Sequence, residues 1–194
     1  MRRRTFDALM AFAGVGLAVL LAVGGGLLTW AHSFVNSQVY DQLAAQKIVF
    51  PPANSAAVQG PEFAAMRQYG GQLMSNGAQA KVYADDFILV HVKEAAGGKT
   101  YSELSALAIK DPTNTKLAGQ VATVFKGTTL RSMLLEAYGF WKMGEIAGIA
   151  AIAAYTGAAL MLTLSFLGLW HLRRTPEERE VFRKVSQVAV AQPA

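Results

Sequence analysis

The sequence predicts an all-α protein: a transmembrane helical hairpin of two spans, with long helical extensions and a small helical extracytoplasmic cap. Three observations predict it. Residues 8–31 and 146–170 are uncharged apolar runs of 24 and 25 residues, where about 20 suffice to cross a ~30 Å hydrocarbon layer. Neither run carries the polar stripe of a soluble core helix. Basic residues crowd the outer flanks of the two runs, and after the first run none occurs until Lys47.

That charge asymmetry sets the expected threading. Arg2, Arg3 and Arg4 precede the first run, and after it there is no Lys or Arg until Lys47. Arg173, Arg174, Arg179, Arg183 and Lys184 follow the second. Cytoplasmic flanks collect Lys and Arg, so both termini are expected in the cytoplasm of a plasma-membrane protein. The chain then divides into a basic N-terminus (1–7), a first span (8–31), an extracytoplasmic helical domain (32–142), a second span (143–172) and a cytoplasmic tail (173–194). The first run exceeds the 7–15 residues usual for a signal-peptide core, and Thr29-Trp30-Ala31 is a poor cleavage site. An uncleaved anchor is expected.

Composition narrows the functional classes. The net charge of +5 mostly reflects the flanks, since residues 32–142 hold ten Lys/Arg against eight Asp/Glu. No basic cluster points to nucleic acid. The chain has no cysteine, which excludes disulfides and thiolate metal sites. The middle domain must therefore hold together by burial.

Between the runs the pattern is helical. Residues 32–46 lack Pro and Gly, and Val35, Val39 and Leu43 repeat at helical spacing, so the first helix should continue for several turns and end before Lys47. Pro51-Pro52 locks the extended residues 47–50, and residues 53–60 read as a loop. Pro61 could open a short helix over 62–69, ended by Gly70-Gly71. Residues 78–96 form the longest soluble pattern, with Ala80, Tyr83, Ala84, Phe87, Val90 and His91 on one face. Its 87–92 stretch also fits a buried strand, although the length favours helix and Gly97-Gly98 gives a stop. A helix over 102–110 should follow. Asp111-Pro112 has the form of an N-cap followed by proline, with the next helix stopping at Lys126-Gly127. From Thr129 to Arg174 nothing but isolated glycines interrupts, and Leu130, Met133, Leu134, Ala137 and Trp141 make an apolar stripe. Thr175 and Glu178 have capping-box form, opening a short tail helix that could lie on the inner membrane surface or fray.

Small side chains recur within the spans. Gly14, Ala18, Ala22 and Gly26 fall four residues apart in the first. Gly144, Gly148, Ala150, Ala154 and Ala158 match them in the second. Such stripes let helix backbones approach closely, against each other, a second copy or another membrane protein. Trp30, Trp141 and Trp170, with Tyr138, are expected as interface anchors. Glu145 is expected at the outer interface, paired with Lys142 three residues away.

Nothing in the sequence assembles a catalytic, cofactor or metal site. His32 and His171 flank the spans. His91, with Glu94, Asp85 and Asp86, makes too loose a set for a metal, which needs converging donors, and is expected as a half-buried side chain. No nucleophile elbow or phosphate loop is present.

The stretches 77–108 (GAQAKVYADDFILVHVKEAAGGKTYSELSALA), 111–114 (DPTN) and 129–147 (TLRSMLLEAYGFWKMGEIA) resemble a family of uncharacterised actinobacterial two-span membrane proteins. Some relatives carry an aromatic ring-opening dioxygenase label, which would imply non-haem iron held by two histidines and a carboxylate. This chain places two of its three histidines at the span boundaries, and the shared motifs bring no functional residue with them. The expected function is non-enzymatic: an accessory or scaffold subunit in the lipid bilayer, working by association with a membrane-protein partner or its own copies. The alternative is an extracytoplasmic sensor or ligand-binding module that signals through a partner; a third, an exported enzyme, has no motif to support it.

Overall fold

A computed structural model describes residues 3–174. They are helical throughout, apart from connecting turns and one isolated antiparallel bridge between Val49 and Leu73. The elements are α1 (Arg3–Ala45), α2 (Ala64–Arg67), α3 (Gly77–Val82), a π-helical stretch (Tyr83–Ile88), α4 (Leu89–Ala95), α5 (Tyr101–Lys110) and α6 (Thr115–Arg174), with single 3-10 turns at Ala56–Val58 and Pro61–Phe63. Arg2, the basic residues beyond Arg174 and the expected tail helix lie outside the described residues. The chain forms two compact units, one from Met1–Leu28 with Ile149–Ala194 and one from Thr29–Gly148.

The first unit is built from two apolar helical segments. Within α1 and α6 the most apolar windows reach mean hydropathies of 2.2 and 1.8, and only 11% of each window is buried. A soluble core helix would bury most of such a window. Here Phe12, Leu20 and Leu27 on α1 and Ile152, Leu160 and Phe166 on α6 all point outward. Both helices are long and apolar enough to cross a membrane.

The two segments meet along a seam of seven-residue period. Ala11, Ala18 and Gly25 are buried on α1, and Ala151, Ala158 and Ser165 on α6. Half-buried Gly14 and Leu21, and Ala154 and Met161, fall between them, and half-buried Gly168 follows Ser165. A Cβ added at Gly14 would strike Ser165 Oγ; one at Gly157 would lie 3.2 Å from Leu21 Cδ1, and one at Gly168 3.7 Å from Ala11 Cβ. Rising numbers on α1 meet falling numbers on α6, so the packing is antiparallel.

This seam departs from the expected four-residue stripe. Gly14 and Ala18 belong to it, whereas Ala22 and Gly26 are exposed. The reason is helical pitch. A four-residue step overshoots one turn by about 40°, so three steps carry a stripe about 120° around the helix. A seven-residue step drifts only about 20° and keeps facing the same partner.

The second unit has a small core of its own. Lys47 takes a left-handed backbone (φ 55°) just beyond α1 and turns the chain so that Phe50 is fully buried. Phe50 packs edge-on to Tyr83, ring centroids 5.4 Å apart, and tilted against Tyr69 at 5.3 Å. Its backbone N–H donates to Gln72 O at 2.9 Å, and Met74 N–H to Ile48 O at 2.8 Å, which fixes the extended pair. Val58, Met66, Met74, Ala80 and Ala84 complete the core with Val39 and Leu43 of α1 and Leu134 of α6. Arg67 Nη1 donates to Val58 O and Gly60 O at 2.8 and 3.0 Å and closes the loop before α2. A second cluster joins Ala96, Leu104 and Val124.

Local chemistry explains where the helices differ from expectation. Thr100 and Glu103 form a reciprocal capping box that starts α5, a signal the sequence reading passed over. Asp111 ends α5 instead of opening the next helix: its N–H donates to Leu107 O at 3.1 Å, and its carboxylate accepts from Thr113 and Asn114. Asn114 is the cap of α6, accepting from Leu117 N–H at 3.0 Å. Nor does α6 stop at Gly127. A Cβ there would collide with Val92 Cγ2, so this glycine is where α4 approaches α6, and packing overrides its low helix propensity.

Candidate functional site

The second unit contains an apolar groove of about 1010 Å³. Its walls are two helical faces that the sequence shows as periodic. On α1, Val35, Val39 and Leu43 form the floor, and Phe34, Gln38 and Gln42, with Gln46 in the turn just past the helix end, run beside them as a rim, both rows at four-residue spacing. On α6, Leu130, Met133, Leu134 and Ala137 face them, with Glu136 and Phe140 at the edge. Tyr83, Phe87 and Ile88 close one side.

Those last three residues lie in the π-helical stretch Tyr83–Ile88. A π turn takes one residue more than an α turn and is found often at functional sites. It rotates the following residues by about 100° relative to a continuous helix. The expected face over 78–96 is broken there: Ala80 and Ala84 are fully buried, while His91 is exposed and not half-buried. His91 Nδ1 lies 2.7 Å from Phe87 O, and its ring is tilted against those of Phe87 and Phe63, centroids 4.4 and 6.0 Å apart.

Charge holds the π stretch against α6. Asp85 accepts from Arg131 Nη2 at 2.7 Å and from Lys81 Nζ one turn away. The Lys81 hydrogen bond, then Arg131, keeps the Asp85 carboxyl below its usual value of 3.8. Asp86 beside it is pushed up, first by burial and then by the Asp85 charge. Burial also raises the Tyr83 phenol.

A shallower polar cleft of about 460 Å³ is lined by Asn36, Ser37, Tyr40, Asp41, Ser75, Asn76 and Trp141. Trp141, expected as a membrane-boundary anchor, is half-buried here and packs over Gly77. Trp30 and Trp170 are exposed, Trp30 stacked on Phe34 and Trp170 beneath the Arg174 guanidinium at 4.7 Å.

Gly144 and Gly148 admit Val35 and His32 at close range. His32 Nδ1 donates to Gly144 O at 2.8 Å, and Asn36 Nδ2 lies 3.2 Å from His32 Nε2 and 3.5 Å from Glu145 Oε1. Glu145 therefore faces His32 (4.0 Å) and Asn36 rather than Lys142, whose ammonium sits over the Trp141 ring. Ala150 and Ala154 are half-buried. Among the described residues no three His, Asp or Glu side chains converge to hold a metal ion.

The groove itself was not foreseen. Its floor and opposite wall appear in the sequence as stripes, but the stripes suggest a closed contact. Gln38, Gln42 and Gln46 beside an apolar row were the signal available for a rim. No protein-family model, curated protein or solved structure matches the chain.

Proposed function

We propose that this is a non-enzymatic two-span membrane protein whose domain of residues 29–148 binds an apolar ligand and passes that state to a partner. The groove carries the reading. Ligand sites are concave, mostly apolar and marked by a few placed polar groups, within about 300–1000 Å³, and this groove sits at the upper end of that range. The π-helical wall supports it, because π turns recur where a helix shapes a functional site. Two antiparallel spans with basic outer flanks would place the domain outside the plasma membrane.

The test uses the full chain in lipid nanodiscs. An environment-sensitive apolar naphthalene dye should brighten and saturate on the wild type. Gln42→Trp, a change at an exposed rim position, should fill the groove and abolish the signal. A dye that binds both proteins alike would remove the groove from the argument.

A second reading, an accessory or scaffold subunit acting by association, is favoured by Gly16 and Gly24. An added Cβ at either would meet nothing within 4 Å, which leaves smooth patches beside the occupied seam. It predicts co-purification with a larger assembly from native membranes. A protein that stays monomeric and partner-free in mild detergent would count against it.

A further inference from the structure

We infer that the groove takes acyl chains of bilayer lipids, admitted sideways from the outer leaflet. This rests on the two-span, ligand-binding reading above and adds the class and source of the ligand.

The two ends of the groove differ in polarity. At one end Phe34 of α1 and Phe140 of α6 line it, and both are exposed. One turn nearer the apolar runs, each is followed by another exposed apolar side chain: Trp30, stacked on Phe34 at 5.5 Å, and Met143. The opposite end is polar. Gln46 is followed by exposed Lys47, and exposed Lys126 lies one turn beyond Leu130. Apolar surface thus continues from the groove toward the segments that face hydrocarbon, and the lysines stand at the end away from them.

Close packing fixes the way in. A Cβ at Gly144 would lie 3.0 Å from Val35 Cγ1, and one at Gly148 2.9 Å from His32 Nδ1. The two helices are shut against each other there, so a chain cannot thread up between them. It enters past the exposed edge of Phe34, Gln38 and Phe140. Methylenes sliding along this edge exchange one apolar surround for another, and the hydrophobic effect does not oppose the move.

The distance is short. Phe34 and Phe140 each stand three residues outside the expected spans, about 4.5 Å along the helix. The headgroup layer on each side of a bilayer is about 5–8 Å thick, so these two rings lie within it. Met133, on the α6 wall, stands about 15 Å beyond the expected start of the second span at residue 143. Lipid reaches that level only through the groove.

The experiment places the photoreactive residue p-benzoylphenylalanine at Met133 of the full chain in dioleoylphosphatidylcholine nanodiscs. Irradiation and mass spectrometry then read the lipid adduct. The control position is Ser132, exposed on α6 and outside the groove lining. Adduct at 133 should exceed that at 132 at least about tenfold, since the bilayer itself ends well below both. Phe140→Asp in the 133-labelled protein should cut the yield at least about fivefold, because a carboxylate is far costlier than a phenyl ring beside hydrocarbon. Phe140→Leu should keep it. Equal yields at 133 and 132 overturn the lipid occupant; if the naphthalene dye still saturates on the same discs, the ligand-binding reading stands, and if it does not, both fall. An adduct undiminished by Phe140→Asp, or lost as fully with Phe140→Leu, overturns entry along the apolar edge.

Discussion

Gly77→Ala puts one methyl group against the junction between α3 and α6. Gly77 opens α3 behind Asn76, whose side chain accepts from Gln79 N–H at 3.0 Å. An added Cβ would fall on Trp141 Cβ and within 2.7 Å of Cγ and 3.0 Å of Cδ2. These are root atoms of the indole side chain, so no tip rotation relieves the clash and one helix must shift. Overpacking of this kind costs roughly 1–3 kcal/mol, against which the gain in helix propensity is at most about 1 kcal/mol. The expected net loss is about 1–2 kcal/mol. At about 2–4 °C per kcal/mol for a chain of this size, the midpoint should fall by about 2–8 °C. Gly119→Ala is the control: it lies within α6 with nothing within 4 Å of an added Cβ, so propensity alone acts and the midpoint should rise by about 2–4 °C. Thermal unfolding followed by circular dichroism, at one scan rate in one detergent, reads both. Gly77→Ala as stable as the wild type would refute the claim that this contact is packed shut.

Four further outcomes are expected. Ala18→Leu should disrupt the seam of the first unit and speed hydrogen exchange in both segments, because Ala18 is 1% exposed, whereas Ala22→Leu at an exposed site should not; equal effects would favour the four-residue stripe. The Asp85 carboxyl is depressed in the folded state, so the stability it adds over Asp85→Asn is full above its unfolded value of 3.8 and shrinks as pH falls through the lower folded value. The raised Asp86 carboxyl acts in the opposite sense, adding relative stability as pH falls, and denaturant melts of wild type and Asp85→Asn against pH would separate the two. Thr100→Ala removes the capping box and should raise amide exchange over Tyr101–Lys110 while leaving α3 unchanged. A cysteine introduced at exposed Gln59 should react with a membrane-impermeant maleimide on intact cells; labelling only after lysis would contradict the threading.

Much of the fold was legible because it rests on local rules. Long uncharged runs specify apolar helices, and an uninterrupted stretch such as 129–174 continues one whatever surrounds it. Ends set by one residue's chemistry were read less well. Asp111 and Asn114 both suit a cap, and only the hydrogen bond from Asp111 N–H to Leu107 O shows to which helix Asp111 belongs. Gly127 looked like a stop, but its missing side chain is space filled by Val92, a residue 35 positions earlier. The candidate site was the least legible part. A groove is a distance between two helices, and neither stripe carries that distance.

The sequence by itself determined that α1 and α6 are long, apolar and uncharged at their centres, since burial in lipid or protein follows from side-chain chemistry alone. Tertiary structure decided which faces they use. The seven-residue seam of Ala11, Ala18 and Gly25, rather than the stripe continuing to Ala22 and Gly26, follows from two pitched helices staying in register with each other. The π-helical turn at Tyr83–Ile88 and the opening between α1 and α6 likewise exist only once Phe50, Ala80 and Ala84 share a core, because packing sets how far apart the walls stand.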